Sequence, residues 1–426
     1  MRIAVIGAGI SGLGSARLLE QQGHAVTLYE AGDTLGGHTC TVDVTLEGRT
    51  APVDTGFLVF NDRTYPLLIE LFRQLDVAST ASEMSFSVRA DEHGIEWSGT
   101  DLAALFAQPR NALRPAFWRM LADILRFNRA TTALLARADA GTSDPAAARL
   151  TLGQYLAAEG YSAPFRDWYL VPMAAAIWSS PRLSVQDFPL FSFIRFCHNH
   201  GLLQIFDRPQ WRTVTGGGRN YVARIAAQLG DVRPGTPVLV VRRSADGTVV
   251  VGTAQGETAY AGAVLACHSD QALRLLGDAD ADEARLLGAI GYQANEVWLH
   301  TNERLLPRAR RAWSAWNYLS ASDPDGLRPV AVSYLINKLQ PLPFTTPVVV
   351  SLNPPFEPRP EHVLRRMVSW HPLLDSPAVQ AQAGITAIQG RRNTWYAGAW
   401  LGYGFHEDGL RSAHVVADLI ARRGHA

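Results

Sequence analysis

Excess charge of either sign is missing from this 426-residue sequence: 39 acidic side chains face 39 basic ones, and the formal net charge is zero. A nucleic-acid binder needs a basic surplus to neutralise phosphates, so that partner class is excluded. Cysteine is scarce. Cys40, Cys197 and Cys267 stand far apart with no CxxC pair, which excludes a disulfide-framed scaffold and a thiol-redox dyad. Lysine is scarcer still, Lys338 being the only one. No uncharged apolar run reaches the roughly 18 residues that a bilayer span requires. The opening Met1-Arg2 passes directly into Ile3-Ala4-Val5-Ile6, without the longer apolar stretch and small-residue cleavage site of a secretion signal. The expectation is a cytoplasmic protein, free or peripheral on the inner face of the membrane. With 47% hydrophobic residues, the chain can build two or three domains around a large core.

The densest signal lies in the first forty residues. Arg2 to Ile6 reads as a short buried strand, and Leu13, Ala16, Leu18 and Leu19 give the following segment a helical apolar face. Between them stands Gly7-Ala8-Gly9-Ile10-Ser11-Gly12. Gly23-His24 ends the helix, and Ala25 to Tyr29 forms a second strand that closes on Glu30. A GxGxxG alone is weak, but here it has a strand before it, a helix after it and an acid at the expected distance. Gly7 makes the tight turn, Gly9 lets a pyrophosphate approach the backbone, and Gly12 lets helix and sheet pack closely. The helix N-terminus, including Ile10 and Ser11, presents free N–H groups to phosphate. Glu30 accepts from ribose hydroxyls and repels the 2′-phosphate of NADP.

Glu30 leads into Ala31 and then Leu35-Gly36-Gly37-His38, followed by Val53-Asp54-Thr55-Gly56-Phe57. On these residues the sequence resembles the flavin-containing amine oxidase and phytoene desaturase superfamily. The resemblance implies an α/β fold: a Rossmann-type FAD-binding domain of the glutathione-reductase-like, amine oxidase type, with an inserted α+β substrate domain. It implies non-covalent FAD, cradled by Gly36, Gly37 and His38, with Thr55, Gly56 and Phe57 near the isoalloxazine. Thr34 stands where the family's usual Arg would be. No second GxGxxG with strand context follows, which argues against a second nucleotide site.

The same resemblance divides the chain. Residues 1–75, 211–275 and 386–426 form the discontinuous FAD domain, and residues 76–210 and 276–385 form the substrate domain. The chain re-enters the FAD domain at Trp211 to Tyr221, which contains Gly216-Gly217-Gly218. Pro237 to Arg243 and Thr248 to Thr253 alternate like a hairpin around Asp246-Gly247, and Tyr260 to Cys267 reads as a further strand. Backbone at Val238 is implied to meet the adenine, with Ala266 and Cys267 passing near the cofactor. The last return contains Gly398, Ala399, Gly404, Phe405 and His406. It leads into a helix expected over about 410–421, with Val415, Val416, Leu419 and Ile420 inward. Ala399 replaces the family's usual acid, which leaves backbone, Glu407, Asp408 or solvent to make that contact.

Arg114 to Arg129 places Phe117, Met120, Leu121, Ile124 and Leu125 on one helical face. That suits a membrane-surface contact or a helix packed on its own core. His198 and His200, two apart with no third partner, give no metal site. The whole chain further resembles a bacterial subgroup of predicted NAD/FAD-binding proteins associated with fatty-acid modification. The stretches that carry this are 198–202, 207–211, 337–340 and 404–409.

The expected reaction is dehydrogenation of a fatty-acyl or other apolar chain, free or phospholipid-bound, by hydride transfer to flavin N5 with an unknown electron acceptor. A base must take the neighbouring proton, and His198, His200, Glu296, His371 and His406 are the candidates. Glu296 lies on the strand where amine oxidases carry a lysine. An amine oxidase is the alternative, with Trp395, Tyr396, Tyr403 and Phe405 as an aromatic cage. A non-catalytic flavoprotein partner is the third reading.

Overall fold

A computed structural model describes residues 1–142, 144, 147–178, 185–204, 208–320 and 330–423. Asp207, which opens the 207–211 run, lies outside them. The nucleotide half is a five-stranded, all-parallel sheet. Arg2–Ile6 lies at its centre, flanked by Ala25–Tyr29 and Gly262–Leu265, with Val232–Arg233 and Thr394–Tyr396 at the edges. Three separated stretches of chain therefore interleave in one sheet. The central strand is buried from Ile3 onward, as a parallel sheet covered on both faces requires. Helix Ile10–Gln21 and the C-terminal helix His406–Arg423 pack together over one face through Leu13, Ala16, Leu410, Val416 and Ile420. That last helix begins earlier than expected and turns Val415 outward, while Ala413 and Ala417 take inward places.

The hairpin is present as Val238–Arg243 with Val249–Thr253, extended by Gly256–Tyr260. Tyr260 ends that meander, and a separate strand, Gly262–Leu265, enters the parallel sheet. The substrate half rests on a mixed seven-stranded sheet carrying strands Tyr292–His300 and Val363–Pro372 at one side and Ile95–Ser98 at the other. Leu286, Leu287, Ala378, Ala381 and Ile385 join the core of Val241, Ala263 and Tyr396, so segments near 281–290 and 376–388 pack against the nucleotide half.

The arginine-flanked helix runs over Pro115–Asp139 and is a core helix. Phe117, Met120 and Phe127 are fully buried against Phe165, Phe193 and Leu156, whereas Leu125 points to solvent. Among the described residues no helix is long and apolar enough to cross a membrane.

Candidate functional site

The nucleotide cradle is built from backbone. Gly7 adopts a φ of +100°, and a Cβ there would lie 2.9 Å from the Ala266 carbonyl oxygen. A Cβ on Gly12 would lie 1.8 Å from the Gly7 carbonyl oxygen, so helix and strand can meet only without a side chain. Gly9 bridges Gly36 in parallel fashion, and its own missing side chain would meet nothing within 4 Å. That open space lies before helix Ile10–Gln21. Among the described residues, the helix has no side-chain cap and no acid in its first turn. Its leading N–H groups and positive dipole end are left for an anion. Glu30 accepts from Ala8 N–H and Gly32 N–H, one per carboxylate oxygen, each at 2.8 Å. Each oxygen keeps acceptor capacity for ribose hydroxyls. Thr236 N–H donates to Glu30 C=O and Gly235 N–H to Gly32 C=O, which brings Val238 to this end. Ala266 N–H donates to Ile6 C=O, placing Ala266 and Cys267 beside Gly7. These residues fit a dinucleotide.

Two carboxylates expected to compensate for Ala399 are committed elsewhere. Glu407 accepts from Leu67 N–H and Leu68 N–H, both at 3.0 Å, and so caps helix Pro66–Gln74. Asp408 accepts from Tyr403 N–H and Phe405 N–H and closes the glycine-rich turn. Burial pushes Asp408 up to about 6. Of the alternatives to an acid at position 399, backbone and solvent remain. Asp54 has a similar structural task, bonding Gly218 N–H, Gln340 and Thr41, and burial raises it to about 6.

Beyond the cradle lies a cavity of about 520 Å³. His38, Thr55, Gly56, Phe57, His371, Gly404, Phe405 and His406 form one part of its wall; Met84, Phe86, Trp97, Ile177, Trp178, Phe196, Trp211 and Trp316 are among the residues that make most of the rest apolar. Segments of the nucleotide half and of the second half thus share one chamber. A Cβ on Gly56 would lie 2.0 Å from the His38 carbonyl oxygen, so Gly56 is required for the two segments to touch.

The five expected candidates for the base take different places. His406 is held: its ring stacks on Phe57 at 3.8 Å between centroids, and Nε2 contacts Thr39 Oγ1 at 2.9 Å and the Tyr221 hydroxyl at 3.0 Å. Burial, then His38, drives its pKa to about 3. His371 is fixed by a chain anchored on backbone. Asn353 accepts from Glu296 N–H and donates to Val330 C=O, which sets its amide orientation. Its Nδ2 donates to Asn295 Oδ1 at 2.7 Å, so the Asn295 Nδ2 is the atom facing His371 Nδ1 at 3.0 Å. An amide N–H there requires Nδ1 to accept, so the neutral His371 carries its proton on Nε2. That N–H points at His38 Nε2, 3.4 Å away, and His38 Nδ1 lies 3.2 Å from Ser369 Oγ. Burial lowers His371 to about 3, helped by repulsion from His38 and His268, and lowers His38 to about 4. His38 is exposed by area, but the surface it exposes is the cavity wall. His371 is a hydrogen-bond donor, a correction to its expected role as a base.

His200 is the converse case. Its Nδ1 lies 3.0 Å from Phe196 C=O, which can only accept, so Nδ1 bears the proton and Nε2 is left as an acceptor. The ring lies against Phe196 and near Trp211 and Phe405, and burial lowers it to about 4. His198 does not join it. Both stand on or at the end of helix Leu190–Asn199, where positions two apart diverge, and His198 is exposed. Cys197 and His200 have CxxH spacing, but Cys197 is fully buried with its thiol pushed up. Among the described residues no three ligands gather for a metal.

Glu296 is also misplaced by the sequence reading. Strand alternation turns it to solvent, where it pairs with Arg366 at 2.7 Å. Asn295, one residue before, points inward and was missed; an inward period of two through Asn295 and Val297 is the signal that would have found it. Lys338 pairs with Glu83 at 3.0 Å and does not line the cavity. The amine-type cage does not form. Tyr403 and Phe405 line the cavity, but Trp395 is buried in the sheet core and Tyr396 bonds Glu283.

A glycine cradle on an interleaved parallel sheet thus opens into a largely apolar chamber on a second sheet, an arrangement that fits a bound dinucleotide. Residues 10–350 match the flavin containing amine oxidoreductase family, and the chain belongs to that family. The carotenoid phi-ring synthase of Streptomyces griseus is 31% identical over 337 residues, 70% of this chain and 59% of that protein. The chain thus spans about three-fifths of that relative's length. A 15-cis-phytoene desaturase of Synechococcus elongatus is 33% identical over 88 residues, 21% of this chain and 18% of that one. Cyclohexylamine oxidase from Brevibacterium oxydans superposes with a TM-score of 0.71 at 17% identity, covering 100% of this chain and 99% of that one. The CLA-producing fatty acid isomerase from P. acnes gives 0.68 at 19%, covering 99% and 98%. Likeness at such identities establishes the fold.

Proposed function

We propose that the protein is an FAD-dependent oxidoreductase, with FAD held non-covalently, that dehydrogenates a fatty-acyl or other apolar lipid chain. The observation that carries this reading is the cavity: aromatic and aliphatic over most of its wall, yet continuous with the segments of the flavin side. Bound FAD supplies the two-electron acceptor for the hydride. Gly7, Gly9, Gly12, Glu30, Gly36 and Gly37 hold the cofactor, and the stretch Gly398–His406 itself contains no cysteine for a covalent link. The apolar wall excludes water and holds a hydrocarbon chain in place. His200 Nε2, unprotonated at neutral pH, is the atom able to take a proton from carbon. His371 Nε2–H points at His38 Nε2 on the cradle side of the cavity, which makes it a donor and not a base. His406, locked between Phe57 and two hydroxyls, shapes the wall rather than moving a proton. The phytoene desaturase relative supports a desaturation reading, and the fatty acid isomerase neighbour supports a lipid one.

Anaerobic mixing of the flavin-loaded protein with free fatty acids, phospholipids and amines tests the reading. Bleaching by lipid, with a product lighter by two hydrogens, is expected. Bleaching by amines alone returns the amine oxidase, and no bleaching by either class supports the non-catalytic partner.

A further inference from the structure

The formal charges around the cavity do not cancel. Glu83, the one carboxylate on its wall among the described residues, binds Lys338 through both oxygens and also accepts from Ser85. The wall histidines His38, His200, His371 and His406 are neutral at physiological pH. Arg208 remains. Its Nε donates to Gln204 C=O at 2.9 Å, and among the described residues its two terminal nitrogens have no hydrogen-bond or ion-pair partner. It is exposed while lining the cavity, so it stands where the cavity opens. Its charge reaches the hydroxyl of Tyr169, whose ring lies 6.1 Å from Trp97 on the inner wall. Pro209, packed against Gly201, holds the next residue in place.

We infer that Arg208 is the head-group anchor of the cavity and that the substrate is an amphiphile with an oxyanion head, carboxylate or phosphate, and an apolar tail. The inference rests on the apolar-chain reading above. A guanidinium with both terminal nitrogens free offers a planar fork that matches an oxyanion in two parallel hydrogen bonds. An ammonium head would meet an uncompensated positive charge at the same place.

The test is binding, read from quenching of the cavity tryptophans in the flavin-loaded protein without turnover. The ligands are a long-chain fatty acid, the alcohol and amine of the same chain, and a lysophospholipid with a phosphate head. The acid or the lysophospholipid should bind about tenfold or more tightly than the alcohol, a difference of about 1.4 kcal/mol, and the amine weakest. Preference between acid and lysophospholipid identifies the natural source of the head. Arg208→Gln, a change at an exposed side chain, should bring acid and alcohol to equal affinity and leave the alcohol unchanged. Equal binding of acid and alcohol by the parent protein, or an undiminished preference in the variant, overturns the anchor while leaving the apolar-chain reading intact. Failure of every chain to bind overturns that reading itself.

Discussion

Replacing Asn295 by Asp inverts the proton on His371, and the size of the effect follows from the geometry. Asn295 is fully buried, and its Nδ2 faces His371 Nδ1 at 3.0 Å. In Asn295→Asp a carboxylate oxygen takes that place and can only accept, so His371 must carry its proton on Nδ1. Two charges about 4 Å apart attract by about 4 kcal/mol at an effective dielectric of 20, which is about 3 pKa units. His371, at about 3 in the parent, should then titrate near pH 6. His38 and His268 face His371 from neighbouring segments and oppose this rise. Nitrogen-15 spectra of histidine-labelled, flavin-free protein read the outcome, with His371→Gln assigning the signal. The parent should show an unprotonated Nδ1 and a protonated Nε2 from pH 8 to pH 5. The variant should show Nδ1 protonated and a new titration. A parent Nδ1 that already bears hydrogen refutes the chain from Asn353 through Asn295.

Two further outcomes are expected. Gly12→Ala drives a Cβ into the Gly7 carbonyl 1.8 Å away; overpacking of this kind costs about 1–3 kcal/mol, so the protein should purify with little flavin and a lower Tm, and full flavin content after reconstitution contradicts the cradle. Flavin-free protein should lose stability in acid. His38, His200, His300, His371 and His406 are held at about 3 to 4 when folded, against about 6.5 unfolded. Below pH 6.5 the folded state binds fewer protons, so this stabilisation is full above that pH and lost as pH falls towards 4. Asp54 and Asp408, raised to about 6, act in the opposite sense and offset part of it. Unfolding at pH 5 should take up protons, and proton release there contradicts the burial of these imidazoles.

The nucleotide cradle was legible because its requirements are local. Gly7, Gly12 and Glu30 are fixed by a turn, a close approach and a strand end, all within thirty residues. The cavity's polar groups were not, because their partners are set by strand register. Gln293 stands opposite His371 and Asn295 opposite Ser369 on one face of an antiparallel pair, while Glu296 opposes Val368 on the other. A one-residue error in register exchanges those faces, which is how Glu296 came to stand for Asn295. The roles of Glu407 and Asp408 were hidden for a different reason. Leu67, more than three hundred residues away, and the turn at Tyr403 present N–H groups that only the assembled fold brings to them.

The same accounting explains why a fold shared with amine oxidases need not carry their substrate. A cationic amine entering this chamber would surrender its hydration to a wall of aromatic rings and neutral imidazoles. The nearest carboxylate, Glu83, is already paired with the chain's single lysine. Moving an unpaired charge into such surroundings costs several kcal/mol, whereas a hydrocarbon chain gains about 0.8 kcal/mol for each buried methylene. The scaffold fixes where a flavin sits, and the side chains that face it decide what comes near. In this chain those side chains sort by one rule: the nitrogen an imidazole spends on the protein determines what the other can do. His200 gives a proton to a carbonyl and keeps a lone pair, His371 receives one from an amide and keeps a proton, and His406 has Nε2 engaged by two hydroxyls.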